Sequence, residues 1–307
     1  MKERYYRFST YFKKSGFKSR VHKVTVDAGF SCPNRDGKVS KHGCIYCNNQ
    51  GFSPNSRLSS KLSVEEQIKK GIDTSRRRIK AQKFIVYFRA YTNTYALPEE
   101  LKKIYDTVRE FKDVIGVSIA TRPDCIDAEI IDLIGSYTKD YEVWIEYGLQ
   151  SMHKKTLEFI NRGHLYEDFL KAVEETRKKK DIKICSHVII GLPFEDEAMM
   201  LETAKEMGRL KLDAIKIHPL HIIKETKLEE MYAKGLFKVL ELDEYVDLTV
   251  KFLEYLWPGT VIQRMTASCH EDLLVVPLWI QDRSRLLRAI ESKLAKENTF
   301  QARLYTV

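Results

Sequence analysis

The sequence of 307 residues has no apolar run long enough to span a bilayer. Residues 1–23 mix charged and aromatic side chains and lack the apolar core of a secretory signal. Six cysteines are too few for a disulfide scaffold in a chain of this length. The expectation is a soluble, cytoplasmic protein in a reducing compartment, with no membrane role and with thiols free for metal. There is no phosphate loop and no dinucleotide fingerprint. Low-complexity tracts are absent, as are internal repeats other than an alternation of β and α segments. An excess of one charge sign is small: 52 Lys and Arg against 43 Asp and Glu give +9. That excess favours a polyanionic partner such as nucleic acid without requiring one.

What is present is concentrated near the N-terminus. Cys32, Cys44 and Cys47 share one glycine-containing loop, with eleven residues between the first two and two between the last two. A close pair plus a distant thiol can hold three corners of a metal site. Zinc is one candidate. A [4Fe-4S] cluster is the other, in which three thiolates leave one iron open to a small molecule. The other cysteines, Cys125, Cys185 and Cys269, are isolated. Cys185 sits in an apolar run and reads as a small buried hydrophobe.

From residue 21 onward, short β-rich runs alternate with helical ones. Strands are predicted over 21–26, 84–88, 114–120, 143–147, 183–190 and 214–217. Helices are predicted over 61–80, from 97 onward, and over 127–136, 166–179, 196–207 and 227–233. This repeated βα pattern implies a parallel sheet covered by helices. Polar motifs follow all six strands, and parallel-barrel sites form at that end. Beyond about residue 240 the alternation ends. Helices over 245–255 and 283–296 and short strands over 260–265 and 273–278 read as an extension. The expected division is a basic segment at 1–20, a barrel at 21–240 and a C-terminal extension at 241–307. That extension would close the barrel side or form part of the substrate wall.

The sequence resembles the radical SAM enzymes. More narrowly, it resembles the bacterial subgroup similar to the catalytic domain of the Elongator tRNA-modifying subunit. The likeness rests on the widened cysteine loop and Cys44-Ile45-Tyr46-Cys47. It rests also on Ala90-Tyr91-Thr92-Asn93-Thr94-Tyr95 and Glu146-Tyr147-Gly148-Leu149-Gln150-Ser151. Asn161-Arg162-Gly163-His164 and His218-Pro219-Leu220-His221 complete it. Three features depart from the family pattern: Arg89 where glutamine is common, Phe194 where glycine is common, and Thr266-Ala267-Ser268 in place of a Thr-Gly-Asp-like stretch.

The resemblance implies an α/β fold, a partial (β/α)6 barrel with a C-terminal extension. It implies a [4Fe-4S] cluster on Cys32, Cys44 and Cys47, with S-adenosylmethionine on the open iron. It further implies reductive cleavage to a 5′-deoxyadenosyl radical, fed by an electron donor such as flavodoxin or ferredoxin. tRNA is the expected substrate, at a wobble-uridine side chain; the alternatives are radical chemistry on a small metabolite or protein, and a non-enzymatic zinc-bound RNA-binding module. Cofactor contacts are expected from Tyr46, Thr92, Asn93, Glu146, Gln150 and Arg162. Each has a plainer reading: Tyr46 packing, a self-satisfied turn at Thr92 and Asn93, pairing of Glu146 with a nearby base, or a polar turn at Arg162. His218 and His221 are expected at the substrate mouth, in proton transfer or hydrogen bonding. The runs Arg76-Arg77-Arg78 and Lys178-Lys179-Lys180 are candidates for RNA phosphates, or simply complete helix C-termini. Lys2, Arg4, Arg7 and the aromatics Tyr5, Tyr6 and Phe8 either track RNA or pack across the barrel base.

Overall fold

A computed structural model of the chain describes residues 3–52 and 62–306. Lys2 and Lys61, the latter the first residue of a predicted helix, lie outside the described residues. Seven strands form one parallel sheet in the order β1 (Val21–Val26), β2 (Lys83–Phe88), β3 (Val114–Thr121), β4 (Glu142–Gln150), β5 (Ile182–Ile190), β6 (Ala214–Pro219) and a seventh at Val261–Arg264. Between the last two in sequence lies β7 (Ile222–Ile223), so the seventh is β8. β7 pairs antiparallel with β9 (Leu274–Val276) in a separate two-stranded sheet. Near-continuous apolar runs such as Phe84-Ile85-Val86-Tyr87-Phe88 suit strands covered on both faces.

The sheet curls into a half-barrel. Its outer face packs Val117, Ile119, Val143, Ile145 and Tyr147 into the main core with the surrounding helices. The helix Leu242–Tyr255 lies in the same core, and β8 adds to the edge of β6 through Ala214–Val261 and Ile215–Ile262. Six predicted barrel strands thus become seven, and residue 240 falls between two strands of one sheet. The C-terminal segment is continuous with the barrel because β8 satisfies the open edge of β6, an edge that would otherwise leave backbone groups unpaired.

The inner face is layered. At the base, Trp144, Cys185, Ala214 and Val261 form an apolar plate, closed from below by Tyr6, Phe8 and Tyr11. The rings of Phe8 and Tyr11 meet Trp144 edge-on, at 5.8 and 5.5 Å between centroids. The N-terminal segment therefore packs across the barrel base, through the helix Phe8–Lys14 and a bridge from Arg7 to Ile262. Tyr5 is buried as well. These aromatics are consumed by packing, which removes them as base-stacking groups.

Above the plate comes a charged layer around Glu146. Above that, at the C-terminal ends of the strands, is the mouth. Among the described residues, no helix is long and apolar enough to cross a membrane.

Candidate active site

The loop after β1 folds back on itself before it reaches the mouth. The backbone N–H groups of Arg35 and Asp36 donate to the carbonyl of Cys32, at 2.8 and 3.1 Å. Val39 N–H donates to Pro33 O and Gly43 N–H to Asn34 O. The Cys47 N–H closes a turn onto Cys44 O at 3.0 Å. This loop is then bolted to the turn after β4. Ile45 N–H donates to Ile160 O, and the Asn161 side-chain amide donates to Gly43 O at 2.6 Å. Gly163 lets the turn come that close: its φ is +72°, and a Cβ there would stand 2.6 Å from Asn34 Oδ1.

All three loop cysteines line one cavity of about 210 Å³ at the mouth. Two donors address the Cys44 sulfur: Arg162 Nη1 at 3.4 Å and Asn34 Nδ2 at 3.5 Å. Both suit a thiolate rather than a thiol. Burial, and then the neighbouring Cys44, push the Cys47 thiol up to about 12. Thiols gathered this way need a cation to ionise together. Among the described residues, the only three ligand atoms that converge within 4.8 Å belong to Glu146, Cys185 and His187. The three loop sulfurs are therefore spread wider than one tetrahedral ion gathers its ligands, with metal–sulfur bonds of about 2.3 Å. Such wider spacing is what a multi-iron cluster, with its thiolates on separate metals, asks of its ligands.

Arg162 is held in place by its own geometry. Its Nε and Nη2 both donate to Gly148 O, at 3.1 and 2.6 Å. Arg122 Nη1 donates to the carbonyl of Arg162 at 2.8 Å, while the rest of its guanidinium clamps Asp124. Burial opposes the charge of Arg162, but the Tyr46 phenol and Cys44 thiol beside it hold it protonated. Gly148 has no room for a side chain: a Cβ would meet Arg162 Nη2 at 2.7 Å.

The cavity also takes in Tyr46, Thr92, Gln150, His218 and His221. Tyr46 packs on the small cluster of Leu157, Ile160 and Leu220. Thr92 is buried, and its hydroxyl has no hydrogen-bond partner among the described residues, which leaves it available to a bound group. Gln150 reaches the wall from a left-handed backbone position, φ 79°, where β4 loses register with β5. Asn93 departs from this set. It is fully buried, outside the cavity lining, and its amide donates to the carbonyls of Ala90 and Ala120 at 3.0 and 2.9 Å. It fixes the turn that presents Thr92.

Glu146 lines the cavity floor, but both its oxygens are engaged. One accepts from Lys23 and from Ser118, and the other from His187 at 2.7 Å and from Lys216. Although burial works against the carboxylate, Lys216 and Lys23 hold it well below its ordinary range. Pairing with bases, the plainer reading of this residue, is what the structure displays, and a ribose or ammonium contact has no lone pair left to use. Sequence reasoning did not find Lys23, His187, Lys216, Asn34 or Arg122. Lys216 carries a readable signal, a charged residue flanked by Ile215 and Ile217 within a strand; Lys23 and His187 have polar neighbours in their strands and carry a weaker one.

His218 Nδ1 faces Thr266 O at 3.2 Å, and its ring lies 5.5 Å from that of His187. Burial lowers its basicity first, then the charge of Arg264. Burial likewise takes His221 down to about 4. Both are neutral at pH 7.

The two basic runs lie elsewhere. Arg76–Arg78 close the helix Val64–Ile79, which feeds the start of β2; Lys178–Lys180 precede the start of β5. Both stand at the N-terminal rim, opposite the mouth. Arg76 pairs with Asp113, Lys178 with Glu175 and Lys179 with Asp132. The parallel βα connection puts every helix C-terminus at that rim, so the runs meet neither the cysteines nor the cavity.

The family model "Radical SAM superfamily" matches residues 37–207, and "Radical_SAM C-terminal domain" matches 212–296. The uncharacterized protein MJ0486 of Methanocaldococcus jannaschii is 41% identical over 297 residues, 96% of this chain and 90% of that protein. A tRNA uridine(34) acetyltransferase of the same organism is 32% identical over 154 residues, 49% of this chain and 27% of its own length. Among solved structures, the archaeal Elp3 of Methanocaldococcus infernus superposes with a TM-score of 0.67 at 20% identity, over 92% of this chain. The chain spans 64% of that longer protein. A cysteine loop at the mouth of a parallel half-barrel, and family matches that together run through most of the sequence, have one reading: the chain belongs to the radical SAM superfamily of enzymes.

Proposed function

We propose that Cys32, Cys44 and Cys47 hold a [4Fe-4S] cluster, that the adjoining cavity binds S-adenosylmethionine, and that the enzyme modifies tRNA at a wobble-uridine side chain. The observation that carries the first two parts is the set of three thiols on one cavity wall, with Arg162 and Asn34 donating to one sulfur. When bound, the cluster supplies one electron to the sulfonium, which releases methionine and a 5′-deoxyadenosyl radical able to take hydrogen from an unreactive carbon.

The chain's own residues position and shield that chemistry. Arg162 offers a fixed positive charge near the open side of the cluster loop, suited to the carboxylate of an amino acid. Thr92 offers an unused hydroxyl. Gln150 extends its amide beside Arg162, both flanking Gly148. Tyr46 covers the loop with an aromatic face. His218 and His221, neutral and half-buried, can accept or pass a proton on the substrate side. The apolar plate at the base and the Phe8–Lys14 helix keep water from entering below.

The tRNA assignment is supported by the half-length similarity to a tRNA uridine(34) acetyltransferase and by the net charge of +9. Since the basic runs stand at the far rim, we assign the RNA contacts to Arg35, Lys38 and Lys41, exposed on the cysteine loop at the mouth. The 1–20 segment is proposed as a base plug and 241–307 as part of the barrel and substrate wall. Anaerobic reconstitution tests the core of this reading. Iron and sulfide uptake with S-adenosylmethionine cleavage are expected; uptake of zinc alone overturns it. Nucleoside analysis of tRNA from cells with and without the protein tests the substrate, and an unchanged wobble uridine rejects it.

A further inference from the structure

Two arginines face the cavity without a carboxylate. Arg89 follows β2, and Arg264 belongs to β8, strands separated by four others in the sheet. The curl of the half-barrel brings both onto the cavity wall. Arg264 donates to hydroxyls only, from Nε to Thr266 Oγ1 at 3.4 Å and from Nη2 to Ser268 Oγ. Among the described residues neither guanidinium has an ion-pair partner. The acid on the cavity floor, Glu146, is already shared by Lys23, Lys216 and His187. Its charge is spent below the wall that Arg89 and Arg264 form.

We propose that Arg89 and Arg264 form a subsite for an oxyanion of the substrate, a phosphate or a carboxylate, distinct from the place of S-adenosylmethionine. Guanidinium groups are planar five-donor forks that bind such groups in pairs of hydrogen bonds, and cost little to desolvate compared with an ammonium. Two of them in one enclosed wall repel each other until an anion arrives. In keeping with this, burial and then the charge of Arg89 bring Arg264 down to about 9. Ser268 stands beside Arg264 as a further donor once an anion takes up the guanidinium. The subsite would anchor one end of the substrate while another part reaches the cysteine side, where Arg162 stands beside Cys44. The inference rests on the reading that S-adenosylmethionine lies against the cysteine loop.

The test is calorimetric titration of the reconstituted protein, with and without S-adenosylmethionine, using inorganic phosphate in one arm and acetate in the other at constant ionic strength. Saturable binding of phosphate or of acetate is expected, and the arm that binds identifies the oxyanion as phosphate-like or carboxylate-like. Arg89→Gln and Arg264→Gln should each weaken that binding by about tenfold or more, as loss of a charged hydrogen-bond donor does. Arg264→Lys, which keeps the charge and loses the fork, should fall between, and thermal melts confirm that each variant folds. Absence of binding of both anions to the wild type overturns the proposal, as does unchanged binding in the glutamine variants. Competition between the anion and S-adenosylmethionine, with both weakened in the variants, overturns it too, because the pair would then hold the cofactor's carboxylate. A wild type that binds phosphate or acetate but no S-adenosylmethionine supports the subsite and defeats the cofactor reading instead.

Discussion

Cys44 is the most constrained atom site in the mouth, since two side chains donate to its sulfur. Cys44→Ala should lose the cluster's visible absorption and all S-adenosylmethionine cleavage. Cys125→Ala, which removes an isolated thiol, should keep normal iron content. Glu146→Gln leaves the Lys23 and Lys216 ammonium groups unbalanced in a buried layer and should cost about 3–5 kcal/mol in chemical denaturation. The histidines set a pH dependence. His187 and His221 fall to about 4 in the folded chain, from 6.5 in the unfolded one. The unfolded state thus binds more protons between those values, so stability is complete above about pH 6.5 and drains away as pH falls toward 4. Denaturant melts at pH 5 and 7 check this; equal midpoints contradict it. At this scale the sequence displayed its thiols, because spacing in one loop is a local property. It did not display the partners. Asn34 donates to Cys44 through a fold of the loop, and Lys216 reaches Glu146 only after strands from distant parts of the chain align.

Elements were legible where hydrophobic periodicity was strong. The six predicted barrel strands and most of the helices recur near their expected places because long apolar runs force burial on both sheet faces. The helix Phe8–Lys14 was less so, since it is a short run of aromatics mixed with Ser9 and Thr10 and ended by Lys13 and Lys14. Its role depends on Trp144, far along the chain. Phe8→Ala should destabilise the protein by roughly 2–3 kcal/mol, somewhat less than for a fully buried ring, and shift tryptophan emission to the red as Trp144 gains water. An unshifted spectrum would show the plug to be dispensable. The turn after β4 gives a second element-scale prediction. Gly163→Ala places a Cβ against Asn34 in a left-handed backbone, so the turn must retreat from the cysteine loop. Such a variant should fold, yet retain iron poorly after gel filtration, while Gly235→Ala, equally left-handed with nothing within 4 Å, should not.

For the whole molecule, charge is distributed by topology more than by function. Parallel βα units deliver helix C-termini, and the lysines and arginines that favour them, to the rim away from the mouth. A sequence shows such runs clearly, and the rim they occupy follows only once the helices they end are set in parallel βα units. Charge reversal at Lys38 and Lys41 should therefore weaken tRNA binding about tenfold or more and flatten its salt dependence. The same change at Arg77 and Arg78 should leave both nearly as they are. The reverse ranking, measured by filter binding over a salt series, would return the RNA to the far rim. The base of the barrel carries a different consequence, one for synthesis. Tyr6 N–H donates to the side chain of Gln301, 295 positions later, and Ile262 N–H donates to Tyr6 O. The residues around Tyr6 must wait for those around Ile262 and Gln301, made long after them, before they can seat. Until Gln301 has been made the barrel floor stays open, Trp144 has no cover, and contacts of such long range make this the slow part of assembly. A nascent chain arrested before Ile262 would hold every cysteine of the loop and still lack a closed chamber in which to use them.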